Sequence, residues 1–557
     1  MSSCPSFPFR MLFGKSLIIA GLGAERIGDT TLHGACNSDI TGSLAHRAIL
    51  PGMNVHALNR RSFLAALGYT SAVSAWSLAR PGDAADAHDL ARDPLRPSYH
   101  LLPPHNWMND PNGPIWWKGK YHLFYQLNPH AAVWGDMHWG HAVSTDMIHW
   151  HHEAIALAPT PGGADSEGCF SGSAVVHNGV PTFIYTGVQN ASPEQATIRD
   201  GSDKLRETQM LATAEDDGLL HWKKQETPVI PTPPADVHVT GFRDPCPWKE
   251  GDDWYMGVGS GERGKGGCVL LYRSQDLHHW EYLHKLAEGK PNGKQAPNPC
   301  DTGEMWECPD FFPLGKQHYL QYSAEDKVVW TTGEYDAVAH TYSSKRQGVL
   351  DHGAYYAPKS FLAPDGRRIM WGWIRETRPE AEFAAAGWSG VMSLPRVFTL
   401  GALGQLEMHP AAEVESLRGQ QEKAIVLPGT PFRRKLSELR YELHVPIGLF
   451  SATSATVRLL VNGDAAWELT MDLAATTVRC GKIEFPLPSQ PWPQPYLRVF
   501  LDGSVIESFI GGHEAITSRV YALKPGATEV EISIAGKKPA HLDLWPMNPI
   551  SSDRLTT

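Results

Sequence analysis

Asn109-Asp110-Pro111-Asn112-Gly113-Pro114-Ile115-Trp116-Trp117-Lys118-Gly119-Lys120-Tyr121-His122-Leu123-Phe124-Tyr125 reads as a polar turn, an apolar strand, a Lys-Gly turn and an aromatic strand. Asn, Pro and Gly supply tight-turn geometry, which places Asp110 where the chain reverses rather than inside a packed element. On its own the segment is equally an Asx-turn at a strand entrance. Recurrence decides the matter. Phe170-Ser171-Gly172-Ser173 precedes Ala174-Val175-Val176 and Thr182-Phe183-Ile184-Tyr185. Phe242-Arg243-Asp244-Pro245 precedes Trp254-Tyr255-Met256-Gly257-Val258, and Glu307-Cys308-Pro309-Asp310 precedes Phe311-Phe312 and His318-Tyr319-Leu320-Gln321-Tyr322. Tyr355-Tyr356-Ala357-Pro358-Lys359 then precedes Ser360-Phe361 and Ile369-Met370-Trp371-Gly372-Trp373.

Copies spaced by roughly 50–75 residues suit a propeller of four-stranded blades, each copy supplying the first hairpin of a blade. Further strand pairs lie between copies. Several end in one type of corner: Ser144-Thr145-Asp146 with His149-Trp150, Asp216 with His221-Trp222, and Ser274-Gln275-Asp276 with His279-Trp280. Five copies predict a five-bladed β-propeller over residues 95–405. Its innermost strands converge on the axis, so Asp110, Asp244 and Glu307 are expected to ring one funnel. After Pro395-Arg396 the pattern changes. His409 to Gln421, with Ala411, Val414 and Leu417 apolar, predicts a short helix inside a linker at 406–424. From 425 to 549 the strands alternate, as in Leu497 to Leu501 and Val505 to Phe509 across an Asp502-Gly503 turn. That region reads as a β-sandwich. The expected class is all-β.

The chain of 557 residues has net charge −11 and no basic cluster able to track phosphates, which argues against nucleic acid as a partner. No run approaches the ~18–20 apolar residues of a bilayer span, so stable membrane insertion is not expected. Nineteen tryptophans suit a carbohydrate site, where aromatic faces pack on sugar C–H faces. The eight cysteines show no C-x-x-C pair and no His/Cys metal spacing, and read as scattered buried thiols with at most one disulfide. Asn59-Arg60-Arg61-Ser62-Phe63-Leu64, followed by an apolar run and Ala85-Asp86-Ala87, resembles a twin-arginine signal peptide over 53–87. Residues 1–52 are read as an N-terminal extension, either upstream of a start at Met53 or disordered. Passage through the twin-arginine export machinery to the periplasm or the medium is the expectation.

With these residues assembled, the chain resembles glycoside hydrolase family 32, the invertase and fructan-hydrolase family, over about residues 98–545. The likeness rests on ordered motifs: Trp107 to Gly113, Phe124-Tyr125-Gln126, Trp134-Gly135, Phe170-Ser171-Gly172-Ser173 and Phe242-Arg243-Asp244-Pro245. Trp306-Glu307-Cys308-Pro309-Asp310, Trp371-Gly372-Trp373, Leu394-Pro395-Arg396 and a hairpin with Glu507 and Arg519 complete it. The resemblance implies a propeller joined to a β-sandwich. It also implies a retaining β-fructofuranosidase acting on sucrose or short fructans, with no metal and no cofactor.

Retaining hydrolysis needs two carboxylates about 5–5.5 Å apart, one ionised to attack and one protonated to donate. Asp110 is the expected nucleophile, kept charged by turn amides of Asn109 to Gly113. Glu307 is the expected acid/base, since apolar Trp306 and Cys308 favour a neutral carboxyl. Asp244 is expected to stabilise the transition state through fructosyl hydroxyls. Asn109, Gln126, Trp134, Phe170, Ser171, Arg243 and Tyr356 are the expected substrate contacts, and Asp310 binds substrate or caps a turn. Cys308 is read as a packing neighbour. The Pro/Asn/Gly-rich loop 288–304 is expected to wall the leaving-group side, favouring short substrates. His352 stands where the family commonly has an aromatic, which puts a local contact in doubt. The alternatives are an exo-levanase, an exo-inulinase or a fructosyltransferase of the same family. Further off stand an inverting arabinosidase or xylosidase type of propeller and a sugar-binding propeller without catalysis.

Overall fold

The computed structural model describes residues 87–553 and 555, without 295–298, 448–451 and 488–494. The signal sequence expected at 53–87 and the extension at 1–52 therefore lie outside the described residues, apart from Ala87. So do Cys4 and Cys36.

Five sheets of four or five strands form blades, and two six-stranded sheets follow. The innermost strands are Asn106–Trp117, Gly168–His177, Val239–Glu250, Glu307–Leu314 and Tyr355–Leu362. Each touches the next, and the fifth returns to the first, so the ring is closed. Lys118-Gly119 and Asn178-Gly179, left-handed at both positions, make the two-residue hairpin turns of the first two blades. Such turns match the twist of the flanking strands. At the three recurrent corners Asp146, Asp216 and Asp276 accept backbone N–H groups and pair with the Nδ1 of His149, His221 and His279.

The ring is latched by one short segment. Trp388–Ser389 pairs parallel with Asn106 and Trp107, while Val391–Met392 pairs antiparallel with Trp373 and Ile374 of the fifth blade. Gly390 between them has φ 77°, and a Cβ there would overlap the Met108 carbonyl. Only glycine allows this approach.

The outermost strand of the fifth blade is Leu406–Pro410, inside the stretch expected to be linker. The helix expected at 409–421 is a short 3-10 helix, Ala412–Leu417. Its buried residues Val414 and Leu417 are three positions apart, a spacing that eclipses in a 3-10 helix and also lies on one face of an α-helix. The sandwich then packs Val426, Leu443, Val457, Leu469, Val499, Ile506 and Ile532 between its sheets. Its expected Asp-Gly turn is Gly503-Ser504, with Asp502 closing the strand as the partner of Val505. A second apolar cluster runs from the first, fourth and fifth blades to Phe500, Phe509 and Trp545 of the sandwich, so the two domains share a core. His352 lies at this junction, stacked on Phe485 at 3.6 Å and bonded to Glu514 at 2.9 Å. The six described cysteines are buried and none of them forms the disulfide allowed for above.

Candidate active site

Every innermost strand shifts register at the same level. The shifts fall between Met108 and Pro111, Phe170 and Gly172, Arg243 and Cys246, Glu307 and Asp310, and Tyr356 and Lys359. A bulge of this kind re-aims the side chains beside it. In three strands the bulged residue before proline is left-handed: Asp244 (φ 63°), Cys308 (φ 47°) and Ala357 (φ 49°). Asp110 thus lies within a twelve-residue strand, not at a chain reversal. The turn-forming residues around it serve a bulge, with Gly113 at φ 43°.

These bulges bring Asp110, Asp244 and Glu307 into one electrostatic cluster at one end of the axis. Asp110 Oδ2 accepts bonds from Ser171 Oγ at 2.6 Å and Cys308 Sγ at 3.5 Å, and Oδ1 accepts from Asn109 Nδ2 at 3.1 Å. Gln126 Oε1 receives the same Asn109 amide at 2.7 Å, and Trp107 Nε1 donates to Asn109 Oδ1 at 2.8 Å. The donors that oppose burial are therefore side chains, not the turn amides expected. Burial still dominates and, with the nearby Glu307 charge, lifts the Asp110 carboxyl above its ordinary range.

Asp244 Oδ2 accepts the Cys308 N–H at 2.8 Å, and its own N–H donates to Thr186 Oγ1 at 2.9 Å. Burial, opposed by Arg243 and reinforced by Glu307 and Asp110, pushes its pKa up to about 7. Glu307 Oε1 accepts from Arg243 Nε at 3.2 Å and Nη2 at 3.0 Å, and Oε2 accepts from Tyr356 OH at 2.8 Å. The apolar seat expected from its chain neighbours is absent, because Trp306 turns away to stack on Tyr322 at 3.6 Å. Arg243 also reaches the fully buried Glu207 at 2.8 Å. Against the effect of burial, Glu207 and Glu307 hold that guanidinium firmly charged.

Asn109, Gln126, Ser171, Arg243 and Tyr356 are thus joined to the carboxylates by hydrogen bonds. Trp134 and Phe170 flank the network, with rings edge-on at 5.9 Å. Trp371 belongs to the core, whereas Trp373 sets its edge against Trp107 and faces Tyr356. Asp310 lies past the bulge and accepts the Ser360 N–H at 2.8 Å. It lines a separate cavity of about 590 Å³ with Cys246, Trp248, Phe311, Lys359 and Arg368, further along the same inner strands. That cavity holds none of the three clustered carboxylates.

The family model for the glycosyl hydrolases family 32 N-terminal domain matches residues 100–410, and that for the family 32 C-terminal domain matches 413–546. The chain belongs to glycoside hydrolase family 32. Among family members, the Escherichia coli protein named sucrose-6-phosphate hydrolase is 37% identical over 484 residues, covering 81% of this chain and 94% of its own. An E. coli raffinose invertase is 35% identical over 475 residues, covering 79% and 91%. The solved Bombyx mori GH32 β-fructofuranosidase superposes with TM-score 0.70 at 30% identity, covering 84% of this chain and 97% of its own. A five-bladed propeller with a C-terminal β-sandwich is thus the architecture this family 32 hydrolase shares with its structural neighbours.

Three polar residues of this site escaped the motifs. Glu207, Thr186 and Gln209 sit on second and third strands, where Gln209 Nε2 donates to the Phe242 carbonyl at 2.8 Å and its Oε1 accepts from Thr186 Oγ1 at 3.1 Å. The available signal was a polar residue inside an otherwise buried strand, as in Leu205–Ala214. Cys308, expected as a packing neighbour, does more than pack. Burial keeps it a thiol, and that thiol points at Asp110.

Proposed function

We propose that this hydrolase is a retaining β-fructofuranosidase that releases fructose from sucrose or short fructans. The observation that carries the reading is the meeting of Asp110, Asp244 and Glu307, from three different blades, around one hydrogen-bonded mouth. Asp110 attacks the anomeric carbon while Glu307 gives its proton to the departing oxygen. Water then takes the reverse path, with Glu307 as base, and Asp110 is released. The bonds from Asn109, Ser171 and Cys308 spread the charge that returns to Asp110 in the second step. Glu207 occupies part of the Arg243 fork, so Glu307 shares that cation. Asp244 binds fructosyl hydroxyls in this reading, and those bonds strengthen as the ring gains oxocarbenium character. The names of the relatives support sucrose and its 6-phosphate as the substrates to compare first. The loop at 288–304 is proposed to limit the leaving-group side to short substrates.

Asp110→Asn and Glu307→Gln should each lower sucrose hydrolysis at least about 10³-fold while the fold is retained. Rates near wild type would overturn the role assignment. NMR of the first-released fructose should show the β anomer. Incubation with sucrose, sucrose 6-phosphate, inulin and levan, followed by product chromatography, ranks the substrates and separates hydrolysis from transfer. We further propose that residues 53–87 direct twin-arginine export. Replacing Arg60 and Arg61 by Lys should leave activity in the cytoplasmic fraction, and unchanged export would refute the signal.

A further inference from the structure

The loop between the second and third strands of the first blade carries Trp134 at its centre and a cluster of metal-type ligands at its ends. His130 Nε2 lies 3.2 Å from Asp136 Oδ2, and His138 Nδ1 lies 3.9 Å from Asp136 Oδ1. One ligand atom from each of the three falls within 4.8 Å of the others. None of the three takes part in the carboxylate network described above.

We propose that His130, Asp136 and His138 bind a divalent transition-metal ion of the zinc class, and that the bound ion slows hydrolysis by fixing the loop that presents Trp134. Two imidazoles and one carboxylate suit zinc or nickel, whereas magnesium and calcium favour all-oxygen sites. Ligand atoms about 2.0–2.1 Å from a tetrahedral ion lie roughly 3.3–3.5 Å apart. The His130–Asp136 pair already meets this spacing, the His138–Asp136 pair at 3.9 Å exceeds it by about half an ångström, and the three ligand atoms all lie within 4.8 Å of one another. His130 is 70% exposed and can close that gap by side-chain rotation. The loop itself is held in shape: Asn128 Oδ1 accepts the His130 N–H at 3.0 Å, and Asn128 Nδ2 donates to the Val133 carbonyl at 2.9 Å. Asp136 at φ 46° is set back towards both histidines. Three protein ligands leave a fourth position for water. His138 Nδ1 also sits 2.7 Å from the Asp136 carbonyl, a contact that metal binding replaces, so affinity on the order of micromolar is expected.

The ion would tie the chain on both sides of Trp134, whose ring meets Phe170 beside Ser171 and Asp110. The inhibitory half rests on the proposed substrate reading; the binding half does not. Calorimetric titration of the whole protein with ZnCl₂, NiCl₂ and MgCl₂ reads binding directly. The expected result is one zinc per chain, with zinc and nickel at least tenfold tighter than magnesium. His130→Gln and Asp136→Asn should each weaken zinc at least tenfold. Zinc binding equal in wild type and His130→Gln, or magnesium as tight as zinc, overturns the site. In parallel, saturating zinc should lower wild-type sucrose hydrolysis at least twofold, reversibly with EDTA. His130→Gln should keep the wild-type basal rate and lose zinc sensitivity. Zinc bound through His130 with unchanged hydrolysis, or a His130→Gln enzyme still inhibited, overturns the regulatory half. If sucrose is not turned over at all, the substrate reading fails while calorimetry still decides the site.

Discussion

Asp244 is the residue at which folding and catalysis pull hardest against each other. Its carboxyl is buried, shares the funnel with two other acids, and has its pKa pushed up to about 7. The folded value exceeds the unfolded one of about 4, so ionising Asp244 opposes folding. Its contribution to stability is intact below about pH 4 and is lost as pH rises through about 7. Asp244→Asn removes that cost and keeps an acceptor for the Cys308 N–H. We therefore expect the variant to melt about 2–4 °C above wild type at pH 8, with the gain shrinking towards pH 4. Its kcat/KM should fall about 10²-fold, the loss typical of one transition-state hydrogen bond. A melting point unchanged at pH 8 would show that the ionised carboxylate is not a burden. Asp110, Asp244 and Glu307 were legible because each stands beside or one residue from a proline at the head of a repeated phrase. Glu207 and Thr186 had no such phrase, since their roles arise only when a neighbouring blade lays Arg243 and Asp244 over them.

The element that makes the site is the bulge in each inner strand. In the third, fourth and fifth blades a residue before proline is left-handed, turning Asp244, Glu307 and Tyr356 to the mouth. Ala357, at φ 49°, is a position where a β-branched side chain is strained. Ala357→Val should lower kcat/KM tenfold or more, because Tyr356 moves off Glu307. Ala357→Gly should stay within about twofold of wild type, the relief of backbone strain offsetting the added chain entropy. Kinetics alongside circular dichroism check both, and a fully active Ala357→Val would deny the bulge its positioning role. The bulges were only half legible. Asn-Asp-Pro, Arg-Asp-Pro, Glu-Cys-Pro and Tyr-Ala-Pro announced an irregularity, yet turn residues alone do not distinguish a chain reversal from a bulge within a continuous strand. The linker failed for a related reason. Ala411, Val414 and Leu417 fit a helical face and a 3-10 turn alike, and only the pairing of Leu406–Pro410 with Arg396–Leu400 decided between them.

At the scale of the molecule, propeller and sandwich are joined by a buried chain of charges. His100, just before the first blade, contacts Asp502 at 2.9 Å and Glu507 at 3.0 Å in the sandwich. Glu507 also accepts the Leu394 N–H at 2.7 Å, and Arg396 bridges Glu507 and Asp351. Asp351 in turn accepts the Thr517 N–H and hydroxyl. The recurrent strand pattern announced two domains but carried no sign of this seam, whose members lie hundreds of positions apart in the chain. Removing one partner from such a network leaves an uncompensated buried charge, so the seam couples unfolding of the two domains. Burial alone would lower the His100 pKa, but the bonds to Asp502 and Glu507 overcome it and raise the value to about 9. The folded value lies above the unfolded one of about 6.5, so this stabilisation is complete below pH 6.5 and disappears as pH rises through about 9. Burial raises the two carboxylates, yet His100 and Arg396 leave both below their ordinary range. Their share is present above about pH 4 and lost below it. Stability should therefore peak between about pH 4.5 and 6.5, with the wild-type melting temperature falling on the order of 5 °C from pH 6.5 to 9.5. His100→Gln should melt lower at pH 6 and lose much of that decline. Parallel slopes for wild type and variant across this window, measured by calorimetry, would remove His100 as the source.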